Sequence, residues 1–308
     1  MRLLTTAAAA ALTIAAAACT PADNGKARER TETPAVAASP DVHPFRIGAL
    51  QAWSLKDGDI VLPAGSDDVP WKDAPAVEAA LTAAGQPTDA ISLSIQPLLV
   101  RDGTRLVLID TGAGGEMGTQ DKLAASLAAA KIDPAAITDV LISHAHGDHV
   151  GGLVNKDGTL AFPNAVIRMS APEWAFAREG AEAAGAGALL AAITPKVQAF
   201  QPGAQISPSI QAVALAGHTP GHSGYAITSG DERLLYVGDA LHSSVLSVGH
   251  PEWTNAWDTD AAAGIATRQG LLDRAANGDQ RLYGVHFAWP GVGRVAKQGD
   301  AYSWVAER

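Results

Sequence analysis

Apolar residues recur along this chain in short runs separated by glycine, proline and acidic residues, not in long helical stripes. Residues 105–110 (RLVLID) form such a run, stopped by Thr111-Gly112-Ala113-Gly114-Gly115, and predict a buried strand. Residues 91–100 (ISLSIQPLLV) have strand character, and Arg101-Asp102-Gly103-Thr104 is a tight-turn signature between the two. Short strands are expected again at 139–143 (DVLIS), 165–169, 210–215, 225–228 and 234–237. Helical patterning covers 122–130, with Ile132-Asp133-Pro134 opening the next unit, and the stretches around 75–84, 172–192 and 259–276. Strands and helices alternate irregularly, which predicts helices covering sheets and not a regular βαβ barrel.

The beginning of the chain follows a different pattern. Arg2 precedes sixteen uncharged residues, many of them alanine, in a run short for a membrane span of ~20 residues. Residues 1–18 are therefore read as a signal peptide. Ala16-Ala17-Ala18-Cys19 resembles the lipobox of bacterial lipoproteins, which implies cleavage before Cys19 and its lipidation. Thr20, where an aspartate would retain such a protein at the inner membrane, points to the outer membrane; without lipidation the chain would be soluble in the periplasm or secreted. Residues 19–44 carry four prolines and scattered charge with no apolar period, and are expected to form a disordered tether ahead of one catalytic domain at 45–308.

Composition narrows the classes of function. Hydrophobic residues make up 47% of the 308, enough for a large core. The net charge of −10 argues against a protein that coats nucleic acid, which would need a basic face. A single cysteine rules out an intrachain disulfide and a cysteine-based zinc cluster.

Histidine carries the chemistry. His144-Ala145-His146-Gly147-Asp148-His149 begins where the DVLIS strand stops. His144 and His146, two apart on extended chain, point to the same side, and Gly147 permits the turn that swings Asp148 and His149 round. His218, Asp239 and His286 each follow a short apolar run and sit beside or near glycine, where a rigid scaffold presents working groups.

HAHGDH, then GHTPGH (His218 in its second position), a Gly-Asp after a strand and a late lone histidine resemble the metallo-β-lactamase fold superfamily. DTGAGG (110–115), HGDHVGG (146–152), AFPNAVIR (161–168) and GHTPGHS are similar to its methyl parathion hydrolase-like and quorum-quenching lactonase branch. The resemblance implies an α+β fold, a four-layer αββα sandwich with metals at one edge between the sheets. It implies that His144, His146 and His218 hold one divalent metal ion, that Asp148, His149 and His286 hold a second, and that Asp239 bridges them. Zinc suits this donor set, and manganese, iron or cobalt would fit as well. The implied activity is that of a binuclear hydrolase in which a metal-bridging hydroxide attacks a lactone or carboxylic ester, such as an acyl-homoserine lactone. A phosphoester or organophosphate hydrolase on the same metals is the alternative, and a non-catalytic metal-binding envelope protein the remaining one. The family also suggests a homodimer.

Asp148, Asp239 and His242 are the expected catalytic residues. His242, three after Asp239, is close enough to face the metals and could donate a hydrogen bond to a substrate or leaving group; methyl parathion hydrolase looks aliphatic at the corresponding position, which favours esters or lactones. Asp110 is expected to orient a ligand histidine and His222 to pack behind the ligands. Trp174 with Phe176, Trp253 with Trp257, and Trp289 are candidates for an apolar pocket, while His43 and His250 are expected to be exposed and idle. The absence of any cysteine beyond Cys19 excludes the commonest zinc β-lactamase ligand set. The histidine at 146 departs from a flavodiiron HxExDH site, and the 22 residues after His286 are too few for a glyoxalase II-type glutathione domain.

Overall fold

The computed structural model describes residues 39–180 and 185–307, which fall in one unit. The predicted signal peptide, Cys19 and most of the tether lie outside the described residues.

The first half of the fold runs β1 (Val42–Ile47), β2 (Leu50–Leu55), β3 (Gly58–Pro63), α1 (Ala74–Ala83), β4 (Ala90–Ile95), β5 (Leu98–Asp102), β6 (Arg105–Ile109), α2 (Leu123–Ala129), β7 (Asp139–Leu141), α3 (Gly147–Val150), β8 (Val166–Ser170), α4 (Ala171–Gly180), α5 (Gly187–Ile193) and β9 (Val197–Phe200). The second runs β10 (Gln205–Ser207), β11 (Ile210–Ala214), β12 (Ser223–Ser229), β13 (Glu232–Tyr236), α6 (Leu246–Gly249), α7 (Ala261–Asn277), β14 (Arg281–Tyr283), β15 (Val292–Gln298) and β16 (Ala301–Ala306). One seven-stranded sheet has the order β1-β2-β5-β6-β7-β8-β9 and the other β10 to β16 in sequence order. β3 and β4 pair by themselves.

Alternation along the strands explains the layers. In β6, Val107 and Ile109 point into the space between the sheets, where they join Leu141, Tyr225, Ile227, Leu234 and Tyr236. Leu106 and Leu108 point outward, into the cluster that also holds Leu123 and Leu127 of α2 and Leu190 and Ile193 of α5. On the far sheet Leu235 and Leu282 meet Leu271, Leu272 and Ala275 of α7. Both faces of each sheet are thus covered, which is the expected αββα order.

Two expectations shift. β1 starts at Val42 and pairs Val42, His43 and Pro44 with Leu55, Ser54 and Trp53, so folded structure begins before Phe45. Pro44 is tolerated because β1 lies at the edge of its sheet. The stretch 91–100 is two strands, since Gln96-Pro97 breaks it: β4 leaves with β3, and β5 enters the main sheet.

Candidate metal centre

Every predicted ligand sits beyond the end of a strand, in the loop or short helical turn that follows it. β7 ends at Leu141, and the chain then presents His144 and His146 before α3 carries Asp148 and His149 on a single turn. His218 follows β11, Asp239 follows β13 and His286 follows β14. Glycine is required where the loops cross: a Cβ on Gly152 would lie 2.1 Å from the Thr111 carbonyl oxygen.

All seven side chains meet. His144 Nε2 lies 3.1 Å from His146 Nδ1 and 3.2 Å from His218 Nε2, and the His218–His146 separation is 2.9 Å. His149 Nε2 and His286 Nε2 are 3.3 Å apart, with Asp148 Oδ2 at 3.5 and 3.4 Å from them. Asp239 spans the two groups. Its Oδ2 faces His144 (3.5 Å) and His218 (3.4 Å), and its Oδ1 faces His149 (3.2 Å) and His286 (3.1 Å). A tetrahedral shell with ~2.1 Å bonds has edges of about 3.4 Å, so these separations have the scale of ligands around a cation.

Hydrogen placement gives an independent test of fit. His149 Nδ1 lies 2.8 Å from Asp110 Oδ2, and His286 Nδ1 lies 2.8 Å from the Ser94 carbonyl oxygen. Each Nδ1–H donates outward, so in the neutral rings two Nε2 lone pairs face each other at 3.3 Å. Buried lone pairs in that arrangement need a proton or a metal cation between them, and the carboxylates of Asp148 and Asp239 beside them favour positive charge there. Asp239 Oδ1 is likewise buried without a hydrogen-bond partner. The residues present fit divalent metal.

The electrostatics differ between the groups. Burial, reinforced by neighbouring imidazoles, holds His144 well below its ordinary pKa and His146 down to about 4. Burial would lower His149 and His286 too, but there the carboxylates win: Asp239, Asp148 and Asp110 raise His149 well above 6.5, and Asp239 and Asp148 raise His286. Burial opposes ionisation of Asp148 and Asp239, yet the facing imidazoles keep both below the usual carboxylate range.

A sequence-family model of the metallo-beta-lactamase superfamily matches residues 93–306. The chain belongs to the metallo-beta-lactamase superfamily. Among solved structures, it is 30% identical to AidC, a dizinc quorum-quenching lactonase in complex with a product, with a TM-score of 0.81 over 87% of this chain and 97% of that one. It is 25% identical to the hydrolase AbOPH of the beta lactamase superfamily, with a TM-score of 0.80 over 88% and 99%. A probable metal-dependent hydrolase from Staphylococcus aureus shares the fold at 20% identity and a TM-score of 0.72, over 86% and 100%. Comparison with curated protein sequences yields no significant match. This member of the metallo-beta-lactamase superfamily is a metal-dependent hydrolase.

The groups behind the ligands are more numerous than the sequence suggested. Asp110, whose backbone takes the left-handed φ of 59°, accepts from Ser143 N, Ser143 Oγ, His149 Nδ1 and Tyr236 Oη. His222 Nε2 accepts from Asp239 N at 2.9 Å, and burial lowers this imidazole to about 3, which keeps it a neutral acceptor. Glu173 was not foreseen. Its carboxylate accepts from Ala145 N (2.9 Å) and Thr219 Oγ1 (2.6 Å), so one side chain fastens both histidine loops. Ser170-Ala171-Pro172-Glu173 reads as a capping box, and Ser170 Oγ does accept from Glu173 N. The glutamate, however, reaches the ligand loops instead of the cap. A Cβ on Gly221 would come within 2.0 Å of Glu173 N, so this contact needs the glycine of GHTPGH. Asp258 was also not foreseen: its Oδ2 is held by Arg268 Nη1 at 2.8 Å and its Oδ1 lies 3.5 Å from His218 Nδ1.

A cleft of about 410 Å³ opens onto His146, Asp148, His218, Asp239 and His286, with Ile60, Leu93, Met117 and Trp257 as its apolar walls. A cleft of about 480 Å³ elsewhere, near Asp57 and Phe162, contains no histidine. Of the aromatic candidates only Trp257 lines the 410 Å³ cleft. Trp174 packs on the core outside the first sheet, Trp253 stacks on His250 with ring centroids 4.0 Å apart, and Trp289 lies beneath Lys56 Nζ. Phe176 is half-buried on α4. His250 and His43 are half-buried with ring neighbours and are not fully exposed.

Proposed function

We propose that the chain hydrolyses a lactone or carboxylic ester bearing an apolar acyl group, an acyl-homoserine lactone being the model substrate. The observation that carries the reading is the two-sided seat of Asp239 at the floor of an apolar cleft. Similarity to a dizinc quorum-quenching lactonase over nearly its whole length supports it. In this reading His144, His146 and His218 hold one ion, Asp148, His149 and His286 hold the other, and Asp239 serves both; zinc is the proposed metal. When bound, such a pair supplies Lewis acidity and brings a water's pKa toward neutrality.

The chain's own residues do the rest. Ile60, Leu93, Met117 and Trp257 bury the acyl chain and keep bulk water from the ester. His242 is buried beside the floor with its Nε2 3.1 Å from Asp239 Oδ2, placed to hydrogen-bond the oxygen that leaves the acyl carbon. Asp110, Glu173 and His222 hold the ligands in register. Export with a lipidated Cys19, and pairing into a homodimer, complete the proposal; the first is supported by the pattern of residues 1–19 and the second by the family resemblance.

The test is a turnover panel with zinc-loaded protein on lactones of graded acyl length, aryl esters and phosphotriesters, repeated after chelation. Lactone turnover that rises with acyl length and disappears on chelation is expected. Preferential turnover of phosphotriesters, or unchanged activity without metal, would overturn the reading.

A further inference from the structure

Five imidazoles, those of His144, His149, His218, His242 and His286, lie within 3.5 Å of the Asp239 carboxylate, and that of His242 is wired in reverse. His149 and His286 turn Nδ1–H outward, to Asp110 Oδ2 and to the Ser94 carbonyl oxygen, and so present bare Nε2 atoms inward. His144 does the same: its Nδ1 lies 3.1 Å from Ser143 Oγ, whose own hydrogen goes to Asp110 Oδ2 at 2.7 Å. His242 meets a donor instead, since its Nδ1 lies 3.1 Å from Asn255 Nδ2.

The amide cannot be turned the other way. Trp257 N–H approaches Asn255 at 2.9 Å, and a backbone N–H must meet an oxygen. That contact fixes Oδ1 on the Trp257 side and leaves Nδ2 facing His242. Nδ1 of His242 therefore accepts, and the ring hydrogen sits on Nε2, aimed at the cluster floor. Distances alone would admit His242 to a donor group with His218 and Asp239. A nitrogen carrying hydrogen has no lone pair to give a cation.

We propose that Asn255 is a positioning residue that locks His242 as an Nε2–H donor and thereby keeps it out of the metal shell. The role rests on the ester or lactone reading above only for the identity of the acceptor, an oxygen of the substrate. It is a hydrogen bond and not a proton transfer, because a neutral ring that surrendered Nε2–H would be left as imidazolate. Asn255 shares its loop with Trp257, which walls the cleft, and with Asp258, which stands behind His218. One short segment thus sets a wall of the pocket, the donor and the support of a ligand together.

The experiment reads the tautomer directly. Long-range ¹H–¹⁵N NMR on zinc-loaded protein is expected to show His242 protonated at Nε2 and unshifted by metal. Asn255→Asp replaces the amide donor by an acceptor, so the hydrogen is expected to move to Nδ1 and Nε2 to become free to ligate. In cobalt-loaded Asn255→Asp the visible absorption is expected to fall as coordination number rises, while kcat drops ~10-fold or more with KM little changed. His242→Ala is expected to retain the wild-type metal count. A wild-type His242 with bare or metal-shifted Nε2, or loss of an ion in His242→Ala, would overturn the proposal. The wild-type spectrum decides even if Asn255→Asp fails to fold. None of these spectra needs a substrate, so failure of lactone turnover with the tautomer intact would remove the substrate reading alone.

Discussion

The two donor groups at the floor of the cleft are built to different standards. His149 and His286 are backed by 2.8 Å hydrogen bonds to a buried carboxylate and a strand carbonyl, and Asp148 and Asp239 surround them with negative charge. His144 is backed at 3.1 Å by a hydroxyl, His218 faces Asp258 at 3.5 Å without a hydrogen bond at Nδ1, and His146 is only half-buried. Neighbouring imidazoles add to burial in pushing His144 and His146 down, whereas carboxylates outweigh it at His149 and His286. Equal ligand chemistry therefore does not make equal sites. The second group is rigid and anionic, and a cation there should be held harder than one in the looser, nearly neutral first group.

The largest expected effect comes from the residue common to both groups. Asp239→Ala should strip both ions and lower activity by ~10³-fold or more, whereas His146→Ala should leave at most one ion per chain, retained by the second group. Elemental analysis that finds two ions in His146→Ala would break the comparison. A smaller effect separates the supports. Asp110→Asn should weaken metal affinity by ~10–100-fold, and Asp258→Asn by less. Chelator competition on the two variants measures both, and equal losses would mean that hydrogen-bond length behind a ligand does not set affinity here.

The smallest effect is a control away from both groups. Asp139, buried at the start of β7, accepts from Arg105, Arg168 and Thr138. Burial opposes its charge, but these donors prevail and its pKa lies below the ordinary 3.8. A depressed carboxylate contributes its full stability above 3.8 and loses it as pH falls through the lower folded value. Asp139→Asn should therefore cost about 1–3 kcal/mol at pH 7, discounted for the partial exposure of both arginines. The gap from wild type should narrow below pH 4 in urea unfolding. Metal content should not change, which separates loss of fold stability from loss of ligand support.

What the sequence disclosed was set by how far a residue's partner lies along the chain. His144 to His149 announce themselves because strand end, glycine and ligand follow within six residues. β6, β7 and α7 were legible from local hydropathy for the same reason. Glu173 was not, because its partners Ala145 and Thr219 are 28 and 46 positions away. Asn255 and Asp258 sit in a polar loop that local pattern describes only as a loop. β1 was hidden by Pro44, which edge position permits, and β14 to β16 are short or half-exposed and carry weak alternation. Trp257 could not be singled out from the other tryptophans, since each is apolar in the same way until the cleft is drawn.

Four of the seven gathered donors precede β9 and three follow β10, so each bound ion would be gripped by both sheets at once. Prising the sheets apart would mean ejecting the ions, and a cation that binds only the closed form stabilises it by mass action. At a free concentration a hundredfold above its dissociation constant, each ion would add ~2.7 kcal/mol. The catalytic cations would then double as a clasp. The melting temperature of this hydrolase would become a gauge of the free divalent metal around it, falling in a chelating medium before any bond in the polypeptide had changed.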